Sequence, residues 1–324
     1  MRRRTFLALA ASAALAASVP VGRAVPPASA QEPAKLTLAI SGWTGFAPLV
    51  LAKETGIFKK NGVEVTIKKM KPNERHLAMA AGDVQMIATT VDTHVLYASS
   101  GVPVTQVLVL DTSAGGDGIA VRDAIKTLQD LKGKRVAYQH AAVSEFWFGY
   151  LLRKQGMSLK KDVQGADLTP QDAANAFVAG NFDAAVTYEP YLSTVRENKG
   201  KILVTSAETP GVIIDTLAFQ PDFVKKNPKV VKAVVDSWFE ALETIKKDQQ
   251  KAFETMGADV KQTAEKFAAS AKFVKWYDRR ENQEYFEKTM PTFLKEVTEV
   301  LLEIGSIKKA PADLNVLADG SFVK

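Results

Sequence analysis

The chain has 324 residues, 46% hydrophobic and 24% charged. That is the balance of a folded globular protein, and the length suits two lobes of ordinary size. Cysteine is absent, which excludes disulfides, thiolate nucleophiles, Cys-ligated zinc and iron–sulfur clusters. The net charge of +6 includes Arg2, Arg3, Arg4 and Arg23, with no acid among the first thirty residues; removing those four leaves +2. A body so near neutrality gives no electrostatic case for nucleic acid or anionic lipid.

Residues 1–30 read as a cleaved export signal: a basic start, an apolar run over 6–19 and the small-residue site Ala28-Ser29-Ala30. The apolar run is too short to span a bilayer comfortably. Arg3-Arg4-Thr5-Phe6-Leu7 resembles a twin-arginine signal; a general secretory signal that carries three arginines is the alternative. Without a lipobox cysteine, the expected product is a soluble protein starting near Gln31.

Short β-rich runs then alternate with helical stretches. Strands are predicted over 36–40, 63–68, 86–90 and 104–110, with helices over 48–58, 74–81 and 94–100 between them. The pattern then restarts, with Leu128–Leu131 ahead of Gly133 and a strand over 135–138. A helix follows over 144–155 with Ser144 as its cap. Another helix covers 169–179, with Pro170 in its first turn and Gly180 ending it. Strands follow over 184–187, 202–205 and 213–219. From Pro221 onward the pattern is helical and amphipathic, over 230–246, 249–256, 260–271 and 284–302.

The alternation predicts an α/β protein of two lobes, each a mostly parallel sheet flanked by helices. Lobe I is expected over 31–120 plus 215–324, lobe II over 121–214, and the C-terminal helices on lobe I. The chain would cross between lobes near 118–122 and return near 209–216. Such a body places a ligand cleft between the lobes, where strand ends and helix N-termini converge.

Several segments in this order resemble a known family. They are Trp43-Thr44-Gly45-Phe46-Ala47-Pro48 with Leu51-Ala52-Lys53-Glu54-Thr55-Gly56-Ile57-Phe58, then Ala80-Ala81-Gly82-Asp83-Val84-Gln85. Residues 128–134 (LQDLKGK), residues 179–185 (AGNFDAA) and Tyr188-Glu189-Pro190-Tyr191 continue the likeness. The chain resembles the nitrate/sulfonate/taurine class of ABC-importer solute-binding proteins, with the type II periplasmic-binding fold. The resemblance implies a periplasmic clamshell that closes over a small ligand and presents its closed form to membrane permease subunits. It implies a monomer without cofactor or metal.

The loops at strand ends supply the candidate contacts. Trp43 and Phe46 either wall the pocket or pack inside lobe I. Thr90 and Asp92 open a helix, where Asp92 either meets the ligand or caps the helix. Asp117 ends a glycine-rich stretch beside the crossing. Ser144 and Glu145 stand at a helix start, Glu189 and Tyr191 past a strand end, and Asp215 at the return crossing. Four acids (Asp92, Asp117, Glu189, Asp215) thus surround one cleft, while no Arg or Lys stands in those loops. That chemistry suits a cation-bearing ligand such as a taurine-like zwitterion, a guanidine-type compound or another small amine. A sulfonate, nitrate or pyrimidine binder of the same fold is the alternative.

Readings from other classes are an exported ligand sensor and a fold-related enzyme. The chain lacks a G-x-S-x-G elbow and an H-E-x-x-H helix. Its three histidines, His76, His94 and His140, are scattered along the sequence, and no catalytic or metal-binding set is assigned.

Overall fold

In the computed structural model, which describes residues 32–324, the apolar runs assemble into two sheets. The export signal lies outside the described residues. The first sheet contains β1 (Ala34–Ile40), β2 (Val63–Lys69), β3 (Met86–Thr90), β4 (Thr105–Ser113), β10 (Ile214–Phe219) and β11 (Val274–Trp276), in the order β11-β4-β10-β3-β1-β2. The second contains β5 (Asp117–Val121), β6 (Arg135–Tyr138), β7 (Gln164–Asp167), β8 (Ala184–Tyr188) and β9 (Lys201–Thr205), in the order β7-β6-β8-β5-β9.

Both sheets are mixed, where strand–helix alternation predicts mostly parallel ones. β1 runs parallel to β2 and β3, and β6 parallel to β7 and β8, because helices carry the chain back between them. The strands that cross between sheets run the other way. β10 is antiparallel to β3 and β4, and β5 is antiparallel to β8 and β9. A crossing strand enters its sheet from the seam, so it points away from the seam while its neighbours point toward it.

The first crossing is shorter and earlier than the sequence suggests. β4 ends at Ser113 and β5 starts at Asp117, so residues 117–120 pair in the second sheet rather than the first. The return runs from Thr205 to Ile214. The two crossings are tied side by side: Ser113 Oγ and Ser206 Oγ are 2.7 Å apart, and Gly115 N donates to Ser206 Oγ at 2.8 Å.

Pro33–Lys324 forms one compact unit containing both sheets. Leu38, Leu49, Val234 and Trp238 build the core of the first sheet, and Val136, Trp147, Phe148 and Val186 that of the second. The expected C-terminal helix over 284–302 is interrupted: Arg279–Glu284 leads into a widened π turn, Tyr285–Thr289, and then Met290–Glu303. Pro291 lacks the N–H a regular ladder would use there. Helix Met290–Glu303 packs Phe293, Leu294 and Val297 with Val91 and Val95 beside the first sheet and with Phe146 of helix Val143–Lys154 beside the second. It therefore straps the two sheets together. Among the described residues no helix is long and apolar enough to cross a membrane.

One side chain completes the sheet edge behind the seam. β11 is only three residues long, and past its end Asn282 takes the place of a strand. Its Oδ1 accepts Val109 N–H at 2.8 Å and its Nδ2 donates to Val109 O at 3.0 Å. Asn282→Ala leaves both groups buried without partners. At about 1–3 kcal/mol for each orphaned group, urea unfolding should show a loss of roughly 2–5 kcal/mol.

Candidate functional site

The seam between the sheets encloses a cavity of about 30 Å³, room for one or two waters. Ser41, Trp43, Phe46, Arg75, Thr89 and Thr90 line it from the first-sheet side. Asp117, Gln139, Ala142, Val143 and Tyr188 line it from the second-sheet side, with Ile213 and Asp215 at the return crossing. An outer chamber of about 330 Å³, with Lys69, Thr169 and Tyr191 in its wall, shares Ser41, Gln139 and Tyr188 with the cavity.

Trp43 is fixed from three directions. Its indole Nε1 donates to Asp111 Oδ1 at 2.9 Å. Its ring meets Tyr188 edge-on, with centroids 5.6 Å apart and planes at 77°. Gly45 and Gly116 press their Cα atoms against it, and a Cβ at either position would collide with the indole. The glycines of this loop and of the crossing thus serve close approach across the seam.

The acids stand in rows set by strand register. Across β3, β10 and β4, Asp215 faces Thr90 on one side and Asp111 on the other. Directly opposed residues project from the same face of a sheet. Asp117, the first residue of β5, comes from the other sheet, and Asp92 from helix Val91–Ser99, which continues straight from β3. All four are buried. Burial pushes the Asp92 and Asp117 carboxyls up to about 7 and Asp111 to about 8. Hydrogen bonds from Thr90 and Thr93, from Ser113 and from Trp43 respectively oppose the rise. Asp215 is raised well above the carboxylate range, by burial first and then by the charges of Asp111, Asp117 and Asp92; Arg75 opposes this.

Arg75 alters the charge inventory expected from the loops. It lies on helix Pro72–Ala81, is buried, and reaches the cavity from behind β3. Its Nη1 donates to Ala88 O at 2.5 Å, while its Nε has no hydrogen-bond partner. Burial lowers it to about 10, so it remains a cation at neutral pH. Helical spacing held a signal for it: Arg75 shares a buried face with Met79 four residues on.

Of the residues expected from the sequence, Trp43, Phe46, Thr90, Asp117 and Asp215 line the cavity together. Asp92 lies just behind it and accepts a hydrogen bond from Thr93 Oγ1 at 3.2 Å. Ser144 is not the cap: helix Val143–Lys154 begins one residue earlier, with Ala142 as its N-cap, and Ser144 Oγ is buried with no partner. Glu145 accepts Ala141 N–H at 2.9 Å and Ser306 Oγ–H at 2.5 Å, holding a turn and the C-terminal strap rather than the cavity wall. Glu189 is buried in an ion pair with Arg196 and accepts Ser193 N–H at 3.1 Å. Tyr191 lines the outer chamber, its hydroxyl against Gly42. Ser41, Arg75, Thr89, Gln139 and Tyr188 are further polar wall residues, and of these Arg75 and Gln139 stand outside the loops singled out from the sequence.

Two histidines that are far apart in sequence meet behind Arg75. His76 Nε2 and His94 Nδ1 are 3.2 Å apart, and His76 stacks on Tyr97. Burial, then the charges of His76 and Arg75, push His94 well below its usual range, so it stays neutral. Among the described residues, no group of three or more His, Asp or Glu side chains is placed to hold a metal ion.

A family model, the NMT1-like family, matches residues 29–257. The chain belongs to the NMT1-like family. It is 26% identical over 211 residues to the taurine-binding periplasmic protein of Escherichia coli, an alignment that spans 64% of this chain and 65% of that protein. It shares the fold of the alkanesulfonate-binding protein of Xanthomonas axonopodis bound to MOPS, with TM-score 0.75, 17% identity and coverage of 89% and 100% of the two chains. The periplasmic nitrate-binding protein of Synechocystis is a further fold neighbour, with TM-score 0.69, 19% identity and coverage of 90% and 87%. The relatives named here are binding proteins, and none of them is described as an enzyme.

The buried acids fix the sign of a pH effect. Each holds its proton in the folded state to a higher pH than in the unfolded chain. The stability they contribute is therefore fully present below about pH 4 and is lost as pH rises toward 7–8. In Asp117→Asn one such group is removed. Urea unfolding between pH 5 and 7 should then show a slope shallower than wild type by up to about 1.4 kcal/mol per pH unit.

Proposed function

We propose that this chain is the periplasmic solute-binding component of an ABC importer, and that it captures a small polar solute carrying a positive group between its two sheets. The observation that carries this reading is the shared wall of one buried cavity: Asp117 and Asp215 stand together there with the faces of Trp43 and Tyr188. A cation entering the cavity would lower the cost of ionising the two carboxyls and gain from the aromatic faces.

Arg75 narrows the choice among cation-bearing solutes. A guanidinium with a free Nε–H, beside the hydroxyls of Ser41, Thr89 and Thr90, favours an acidic group at the opposite end of the solute. A short zwitterion satisfies both ends, and a taurine-like compound fits better than a simple amine or a guanidine. Taurine and MOPS, named with two of the similar proteins, each combine a sulfonate with an amine. The two sheets act as lobes. The cavity as it stands takes only one or two waters, so the lobes part to admit the solute and close less far with it between them. The solute favours that closed form because only it makes both sets of contacts.

A plain alkanesulfonate or nitrate is the second reading. It draws on the same Arg75 and on the protons the acids retain near neutral pH.

Calorimetric titration of purified protein with taurine, β-alanine, ethanolamine and guanidinium, against ethanesulfonate and nitrate, separates the two. Taurine should bind at least about tenfold more tightly than ethanesulfonate, which lacks only the ammonium; one charge-assisted hydrogen bond accounts for that ratio. Asp117→Asn should weaken taurine and leave ethanesulfonate nearly unchanged, while Arg75→Met should weaken both. Tight capture of ethanesulfonate or nitrate with no binding of any amine would overturn the cationic reading.

A further inference from the structure

Asp111 is fully buried and does not line the cavity, yet it touches both elements that define the cation end. Its Oδ1 accepts the Trp43 indole N–H at 2.9 Å. Its Oδ2 receives no N–H or hydroxyl donor. The Asp215 carboxyl is the directly opposed neighbour of Asp111 across β4 and β10, and the two carboxyls lie within hydrogen-bonding reach of each other. Gly45 packs on the same Oδ2, and a Cβ there would collide with it, so the carboxyl has little freedom to turn away. Two carboxylates in contact inside a protein do not both ionise unless a cation takes the proton's place, and one proton between them can make the hydrogen bond that Oδ2 otherwise lacks.

The surroundings supply little to replace that proton. Asp117 faces the pair from β5 and Asp92 from helix Val91–Ser99. Arg75, from helix Pro72–Ala81, is the cation among the described residues that opposes them at Asp215. Glu145 of helix Val143–Lys154 acts on Asp92, Glu189 acts on Asp117, Tyr188 lies near Arg75 from β8, and His94 stays neutral behind it. The balance of charge around the pair is negative.

We propose that Asp111 is a positioning residue: through a proton shared with Asp215 and its bond to Trp43, it locks the cation-receiving carboxyl to the aromatic wall, and capture of a positively charged solute releases that proton to solvent. The inference rests on the cationic reading of the cavity. Affinity for such a solute then rises with pH, by up to about tenfold per unit while the shared proton is still held. Asp111→Asn separates this from a merely structural role. Its amide oxygen accepts from Trp43 and its NH₂ donates to Asp215, which preserves the geometry without a titratable proton between the two.

The test titrates taurine into wild type and Asp111→Asn between pH 6 and 8, in buffers of different ionisation enthalpy, so that proton release is counted directly. Wild type should release more protons per taurine bound than the variant, with a steeper rise of affinity with pH. Asp111→Leu, which loses both bonds, should bind at least tenfold more weakly at every pH. Taurine binding by Asp111→Asn with the wild-type proton count and pH profile would overturn the proposal. A ligand-free arm keeps the two readings apart: urea unfolding of Asp111→Asn should vary less with pH than that of wild type. If wild type binds no amine, the cationic reading fails, and the unfolding arm still decides the shared proton. Identical pH slopes in the two proteins would remove it.

Discussion

Four carboxyls and one guanidinium are held out of water where the two sheets meet, and the rest of the site is arranged around that cost. Stripping an ion of water costs several kcal/mol unless a partner or a proton replaces the solvent. The chain uses both remedies in different places. Glu189 is matched by Arg196. Asp92, Asp111, Asp117 and Asp215 have no such cation and keep protons to unusually high pH. Arg75 holds a carbonyl with one nitrogen and leaves Nε unsatisfied. Ser144 Oγ adds another unsatisfied atom close by. A seam built for stability alone would be apolar here, and polar groups left in this state mark a surface meant to receive something.

The topology explains why these groups converge. Each sheet contributes a strand to a crossing, and an acid sits where each crossing strand begins: Asp117 opens β5 and Asp215 is the second residue of β10. Both are therefore tied to the segments that pass between the sheets, and Ser113 and Ser206 bind those segments to each other. A rotation of one sheet against the other would pivot close to the acids and move Tyr188, Gln139 and Val143 on the far wall much more. The carboxyls are the fixed jaw. The C-terminal strap resists such a rotation, because Glu145 accepts from Ser306 and Lys160 Nζ donates to Gly305 O at 2.8 Å.

The parts of this arrangement that follow chain order were legible in the sequence. Apolar runs bounded by turn residues marked most strands, and the Gly-rich stretch before Asp117 pointed to a crossing, although the expected start at 118 was four residues late. Trp43, Phe46, Asp117 and Asp215 were accessible because they stand at strand ends. The features that depend on register or on a helix face were hidden. Asp111 reads as the first residue of a glycine-rich loop after a strand over 104–110 until β10, more than a hundred residues later, places Asp215 opposite it. Arg75 stands on a helix and reaches the cavity past β3, so a search of loops passes over it. Glu189 looks like a free acid past a strand end, yet Arg196 reaches back along the following helix to take it. The strands β7 and β11 carried little apolar signal, one being Gln-Gly-Ala-Asp and the other three residues long; their pairing comes from the edges already waiting for them.

On the clamshell reading, the same buried charge acts as a discriminator in closure. Parting the sheets would let water reach Asp117 and Asp215, and their carboxyls would ionise near their ordinary range. Closing without a solute must then return protons to them or bury like charges together, and either step opposes the closed form at neutral pH. A solute with a positive end removes that penalty, whereas an anion of the same size adds to it unless the acids are already protonated. Selectivity would thus arise largely from the cost of closing over the wrong guest, and only in part from attraction to the right one. Arg75 limits how positive the guest may be, since a second positive group near it would restore the repulsion the acids relieved. A single cation held a few bonds from a single anion is the charge pattern that leaves both jaws balanced.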